Sequence, residues 1–87
     1  MPMPVVEIYT KDVCPYCVKA KALLGQLGVV YTEIQLSREP ARMTELQARR
    51  PQARTVPQIF IDGVGIGGCD DLYALFEAGK LKAMLGV

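Results

Sequence analysis

TKDVCPYCVKAKALLG, residues 10–25, sets two cysteines three apart with Pro15 and Tyr16 between them. The residues before it, VVEIYT (5–10), are β-branched and aromatic and predict a strand. Those after Pro15 predict a helix to Leu27, with Val18, Ala22, Leu23 and Leu27 on its apolar side and Gly28 closing it. The pair therefore sits where a first strand hands over to a first helix. A pair in that position has three readings: a redox couple, half of a metal site, or two small buried residues.

Helix-start geometry distinguishes the two thiols. Pro15 fits the first helical position, where its missing N–H would have had no partner anyway, so Cys14 becomes the N-cap residue. Its sulfur faces the free N–H groups and positive end of the helix, with Lys11 upstream and Lys19 and Lys21 in the next two turns. Both effects favour thiolate over thiol, which marks Cys14 as the nucleophile. Cys17 lies one turn in, on the side expected to be apolar, and is the expected sheltered, resolving thiol. Residues i and i+3 of a helix are close enough for a disulfide to open and close with little backbone motion.

Composition narrows the alternatives. Ten Lys/Arg against nine Asp/Glu gives no general electrostatic case for nucleic acid or an anionic membrane as partner. There is no histidine, so a zinc site would have to use all three cysteines with a carboxylate or a water. An odd number of cysteines argues against a secreted disulfide framework, and a close pair in a reducing compartment is more often catalytic or metal-binding. The N-terminal MPMPVVEIYT lacks the pattern of a secretory signal, and no apolar run approaches the ~18 residues of a membrane span. A soluble cytoplasmic protein is the expectation.

Further along, VVYTEIQL (29–36) predicts a second strand, and Ser37 is placed to cap a second helix with Pro40 in its first turn and Ala41, Met43, Leu46 and Arg49 along it, stopped by Pro51. VPQIFID (56–62) predicts a third strand, and Asp62-Gly63 a hairpin into a short fourth, VGIG. A last helix is expected from about residue 70 to 85, with Gly79 breaking or ending its main part. The order β-α-β-α-β-β-α over residues 1–87 predicts one α/β domain: a four-stranded mixed sheet flanked by three helices, with a parallel first pair and an antiparallel terminal hairpin. Gly63 to Gly68 satisfies G-x-G-x-x-G but falls inside that hairpin, with too little chain after it for a dinucleotide-binding unit.

Three separated motifs in order now carry a resemblance over essentially the whole chain: Lys11 with Cys14-Pro15-Tyr16-Cys17, Thr55-Val56-Pro57, and Gly67-Gly68-Cys69-Asp70-Asp71. The sequence resembles the glutaredoxin family, the small dithiol branch of the thioredoxin-like fold. The Pro-Tyr insert points away from thioredoxin itself, whose usual insert is Gly-Pro after a tryptophan. The resemblance implies a Cys14–Cys17 redox-active disulfide, a cis Val56–Pro57 bond beside it, and glutathione as electron donor with no tightly bound cofactor or metal.

It also implies a set of glutathione contacts. Val56 would pair with the cysteinyl backbone, Gly68, Cys69 and Asp70 would receive the γ-glutamyl end, and Lys11 with one of Arg49, Arg50 or Arg54 would meet the glycine carboxylate. Thr55 and Pro57 complete that wall, and Tyr16 flanks the ligand sulfur. Cys69 reads either as a small residue in a tight turn or as a third oxidisable thiol. The implied partners are glutathione and glutathionylated or disulfide-containing proteins, acted on by a monomer. Two other readings stay in play: a thioredoxin-like reductase served by a flavoprotein, and a carrier holding a [2Fe–2S] cluster between two protomers through Cys14 and glutathione.

Overall fold

The computed structural model describes residues 4–87, so the first three residues of the N-terminal stretch lie outside the described part. Strand β1 (Val6–Thr10) leads into helix α1 (Pro15–Gln26), strand β2 (Thr32–Gln35), a 3₁₀ turn (Pro40–Arg42) and helix α2 (Met43–Arg49). Strands β3 (Gln58–Ile61) and β4 (Val64–Gly67) and helices α3 (Cys69–Glu77) and α4 (Lys80–Leu85) complete the chain. The sheet order is β2-β1-β3-β4, with β1 parallel to β2 and antiparallel to β3, and β3 antiparallel to β4. This is the expected four-stranded mixed sheet.

Strand alternation divides the interior into two cores. Val6 and Ile8 of β1 and Ile59 and Ile61 of β3 face α1, α3 and α4, where they meet Ala20, Leu23, Leu24, Cys69, Leu72, Leu81 and Leu85. Tyr9 and Phe60 point to the other side and pack with Ile34, Leu36 and Leu46 under α2. Their rings meet edge-on, with centroids 5.7 Å apart. Arg49 closes this second core. Its guanidinium lies 4.0 Å from the Phe60 ring centre, donates to both Glu7 oxygens at 2.8 and 3.1 Å, and reaches the Tyr9 hydroxyl at 3.0 Å. The Tyr9 hydroxyl in turn donates to the Glu45 carboxylate.

Four details differ from the sequence expectations. The buried face of α1 is Cys17, Ala20, Leu23 and Leu24, while Val18 and Ala22 are exposed. Ser37 caps no helix: its Oγ accepts the Asp12 N–H at 3.0 Å, and α2 starts instead from the 3₁₀ turn without a side-chain cap. β2 starts at Thr32, because Val29 N–H donates to Leu24 O and serves the end of α1. The single last helix is two, divided at Gly79, whose φ of +75° suits glycine.

The turn from β1 into α1 carries the one costly backbone conformation near the cysteines. Val13 has φ of +51° and is fully exposed, so a β-branched side chain sits in the left-handed region with no packing to offset it. Val13→Asn, which tolerates that region, is expected to raise stability by about 1 kcal/mol. A denaturant midpoint that stays put or falls would contradict this.

Candidate active site

Three segments converge at the carboxyl end of β1. The first is the start of α1, where Cys14 is the N-cap in extended conformation and Pro15 occupies the first turn, as its missing N–H predicts. The Cys17 N–H donates to Cys14 Sγ at 3.2 Å, so a helix-start donor is aimed at the sulfur. Cys14 and Cys17 are joined as a disulfide, with Cα atoms 5.2 Å apart. Cys17 is 2% exposed whereas Cys14 is partly open, which is the asymmetry an attacking and a resolving thiol need.

The second segment enters β3. The Val56–Pro57 bond is cis, and the Val56 carbonyl oxygen lies 3.8 Å from Cys14 Sγ. Because β3 begins only at Gln58, Thr55 and Val56 stand outside the ladder and leave backbone groups for a ligand to pair with.

The third segment is the β4–α3 corner. Gly68 is the N-cap of α3, and its N–H donates to Asp71 Oδ2 at 2.9 Å. The N–H groups of the first helical residues, Cys69 to Asp71, have no partner within the helix and remain available to an anion. Gly67 approaches this carboxylate so closely, at φ of +108°, that an added Cβ would overlap Asp71. Gly68 in turn packs against Pro57 O, 3.2 Å from where its Cβ would be, which joins the second and third segments.

Between them runs a cleft of about 470 Å³ lined by Tyr16, Arg50, Arg54, Thr55, Val56, Pro57 and Gly67 to Asp71. A smaller pocket of about 130 Å³ adjoins it, shared by Lys11, Arg54, Thr55 and Val56. Of the sequence candidates, Tyr16, Thr55, Val56, Pro57, Gly68, Cys69 and Asp70 line the main cleft, Lys11 lines the small adjoining pocket, and Cys14 lies beside Val56 at the cleft's edge. Arg49 is held away by Glu7 and Tyr9, Arg50 lines the cleft with its guanidinium on Gly65 O at 2.9 Å, and Arg54 lines both spaces.

Cys69 is a free cysteine, 4% exposed, and part of the first core. Burial pushes its thiol pKa up, the Lys19 charge opposes this only in part, and Asp70 adds to it. It is therefore held as thiol. Among the described residues, no group of three or more His, Cys, Asp or Glu side chains is placed to hold a metal ion.

A second cleft, about 430 Å³, opens over β1 and β2 and is lined by Cys14 and Cys17 with Lys11, Lys21, Glu33 and Arg38 among others. Sequence reasoning missed it, because the residues that join Lys11, Cys14 and Cys17 there, Lys21, Glu33, Gln35 and Arg38, follow no motif. Glu33 accepts from the buried Thr10 hydroxyl at 2.7 Å and pairs with Lys21 at 3.0 Å. Partial burial would raise its carboxyl pKa, but the Thr10 and Lys21 contacts outweigh this and hold it below the ordinary value.

Comparison with known proteins agrees with this geometry. The family model described as Glutaredoxin matches residues 6–66. The chain is 52% identical over 80 residues to Glutaredoxin 3 of Escherichia coli K12, covering 92% of this chain and 95% of that protein. It is likewise 52% identical over 83 residues to a glutaredoxin of Pseudomonas aeruginosa, covering 95% and 98%. Among solved structures, a buckwheat glutaredoxin–glutathione complex superposes with a TM-score of 0.84 at 38% identity, over 95% of this chain and 77% of that one. The solution structure of a Brucella melitensis glutaredoxin gives 0.81 at 51% identity, over 95% and 89%. A paired Cys14 and Cys17 at a helix start, on this sheet and with relatives this similar over nearly their whole length, place the chain in the glutaredoxin family as a thiol-disulfide oxidoreductase.

Proposed function

We propose that the chain is a glutathione-dependent oxidoreductase that reduces protein–glutathione mixed disulfides and protein disulfides. The observation that carries this is the position of Cys14 Sγ. It receives the Cys17 N–H at 3.2 Å and lies 3.8 Å from Val56 O, beside a cleft walled by Val56–Pro57 and the start of α3. A tripeptide with a carboxylate at each end suits that cleft. Its cysteinyl amide pairs with the Val56 backbone, and the free N–H groups of α3 take the γ-glutamyl carboxylate while Asp70 takes the ammonium. Thr55 and Pro57 form the wall, Gly68 and Cys69 the floor of the α-amino end, and Tyr16 flanks the sulfur. Lys11 and Arg54 share the small adjoining pocket, which favours Arg54 over Arg49 and Arg50 for the glycine carboxylate. The buckwheat relative, solved as a glutathione complex, supports the same reading.

The reaction follows as two exchanges. Cys14 thiolate attacks the glutathione sulfur of a mixed disulfide, forming a Cys14–glutathione disulfide while the protein sulfur leaves as thiolate and takes up a proton. A second glutathione thiolate then attacks the glutathione sulfur on Cys14, releasing oxidised glutathione and restoring the Cys14 thiolate. With a protein disulfide, Cys14 forms the mixed disulfide and Cys17 attacks the Cys14 sulfur, freeing the protein dithiol. The Cys14–Cys17 bond is afterwards reduced by two glutathione molecules.

Turnover of a glutathionylated peptide is expected with glutathione and glutathione reductase, and not when a flavoprotein thioredoxin reductase is the only source of electrons. Turnover sustained by the flavoprotein alone would overturn the assignment.

A further inference from the structure

A disulfide substrate has two halves, and the cleft assigned to glutathione accommodates one. The second cleft, over β1 and β2, is the one that Cys14 and Cys17 themselves line. Its charged residues are Lys11, Lys21 and Arg38 against Asp12 and Glu33, an excess of one positive charge. The Glu33 carboxylate is taken by Thr10 and Lys21, and the Asp12 carboxylate accepts from the Gln35 amide. The Arg38 side chain, exposed on the same wall, forms no ion pair or hydrogen bond among the described residues, and its charge reaches Glu33 only at a distance. Lys11 also lines this cleft but is shared with the small pocket beside Arg54, and Lys21 is held by Glu33, so Arg38 is the cation of this cleft left without a partner. The apolar part of the wall is equally unsatisfied: Val13 is 100% exposed and Val18 62% exposed. An apolar edge beside two sulfurs, under an unpaired guanidinium, matches an extended chain carrying a carboxylate close to its cysteine.

We propose that the cleft over β1 and β2 receives the protein half of the substrate and selects acidic segments, with Arg38 as the specificity-determining residue. The assignment of the glutathione half to the other cleft rests on the function proposed above. The charge preference itself requires only that Cys14 exchange with a disulfide. An exposed ion pair is worth up to about 1 kcal/mol and is weakened by salt. The preference is therefore a rate effect of several-fold, largest at low ionic strength.

The test uses the reduced full-length protein in a single turnover, with no reductant present. It is mixed with either of two peptide–glutathione disulfides of equal length, one with Asp and Glu beside the cysteine and one with Lys at those positions, and the rate of Cys14 and Cys17 oxidation is followed by acid quench and mass spectrometry. The acidic peptide is expected to react about fivefold faster at low salt, with the ratio shrinking at high salt. Arg38→Glu should bring the ratio to one or invert it, and Arg38→Gln should give an intermediate ratio. Equal rates with wild type, or a preference unchanged in Arg38→Glu, would overturn the proposal. Failure of glutathione to support multiple turnovers would instead count against the function proposed above, leaving this ratio readable.

Discussion

Cys14→Ser is expected to lower glutathione-coupled reduction of a mixed disulfide by at least about a thousandfold, because neither other thiol is both at a helix start and open to substrate. Cys17→Ser should keep much of that activity and lose reduction of protein disulfides. The asymmetry follows from the structure. Cys14 Sγ is partly open, faces the Cys17 N–H and lies beside the Val56 carbonyl, whereas Cys17 is buried on the inward side of α1. The remaining cysteine offers no substitute. Cys69 is buried in the core and its thiol pKa is pushed up, so it supplies little thiolate at neutral pH. Comparing the two serine variants on a glutathionylated peptide and on a peptide disulfide checks both statements, and an active Cys14→Ser enzyme would refute the assignment of roles.

Gly67→Ala is expected to be the most damaging single-methyl change in the chain. At φ of +108° an L side chain is strained whatever the space, and here the methyl also overlaps the Asp71 carboxylate that holds the Gly68 N–H. Backbone strain of about 1–3 kcal/mol adds to about 1 kcal/mol for the disturbed helix start. For a domain of this size, a loss of that order lowers Tm by roughly 10 °C or more. Gly63→Ala is the control. It has φ of +80° but open space around its Cβ, so it bears the backbone cost without the overlap. Equal Tm values for the two variants would show that the Asp71 contact contributes nothing. Gly67→Ala should also weaken glutathione binding, since the start of α3 is one wall of the cleft.

Much of the fold is legible in the residues because local chemistry and global architecture agree. Pro15 after Cys14 and the Asp62-Gly63 turn each fix an element and its start, and the β-branched runs give the first three strands, with β2 and β3 starting later than the runs, at Thr32 and Gln58. The face of α1 was harder to read. Val18 and Ala22 are apolar and helically spaced, yet Cys17, Ala20, Leu23 and Leu24 are the residues buried, since the pair of leucines decides which side reaches the core. Ser37 has the chemistry of a cap but is drawn to the Asp12 N–H, a contact 25 positions away that no local rule contains. Arg49 follows the same logic. Glu7, Tyr9 and Phe60 arrive beside it only once β1 and β3 pair, and they hold it away from the cleft. The cis Val56–Pro57 bond was implied by family resemblance and not by the residues themselves. The strain at Val13 and the cleft at Arg38 were visible only in three dimensions.

The central claim is that Cys14 alone carries the glutathionyl group. Cys17→Ser, which cannot resolve a mixed disulfide, should be incubated with a glutathionylated peptide and its adducts mapped by mass spectrometry. One glutathionyl group on Cys14, none on Cys69, and its removal by added glutathione is the predicted result; an adduct on Cys69, or no adduct on Cys14, would contradict it.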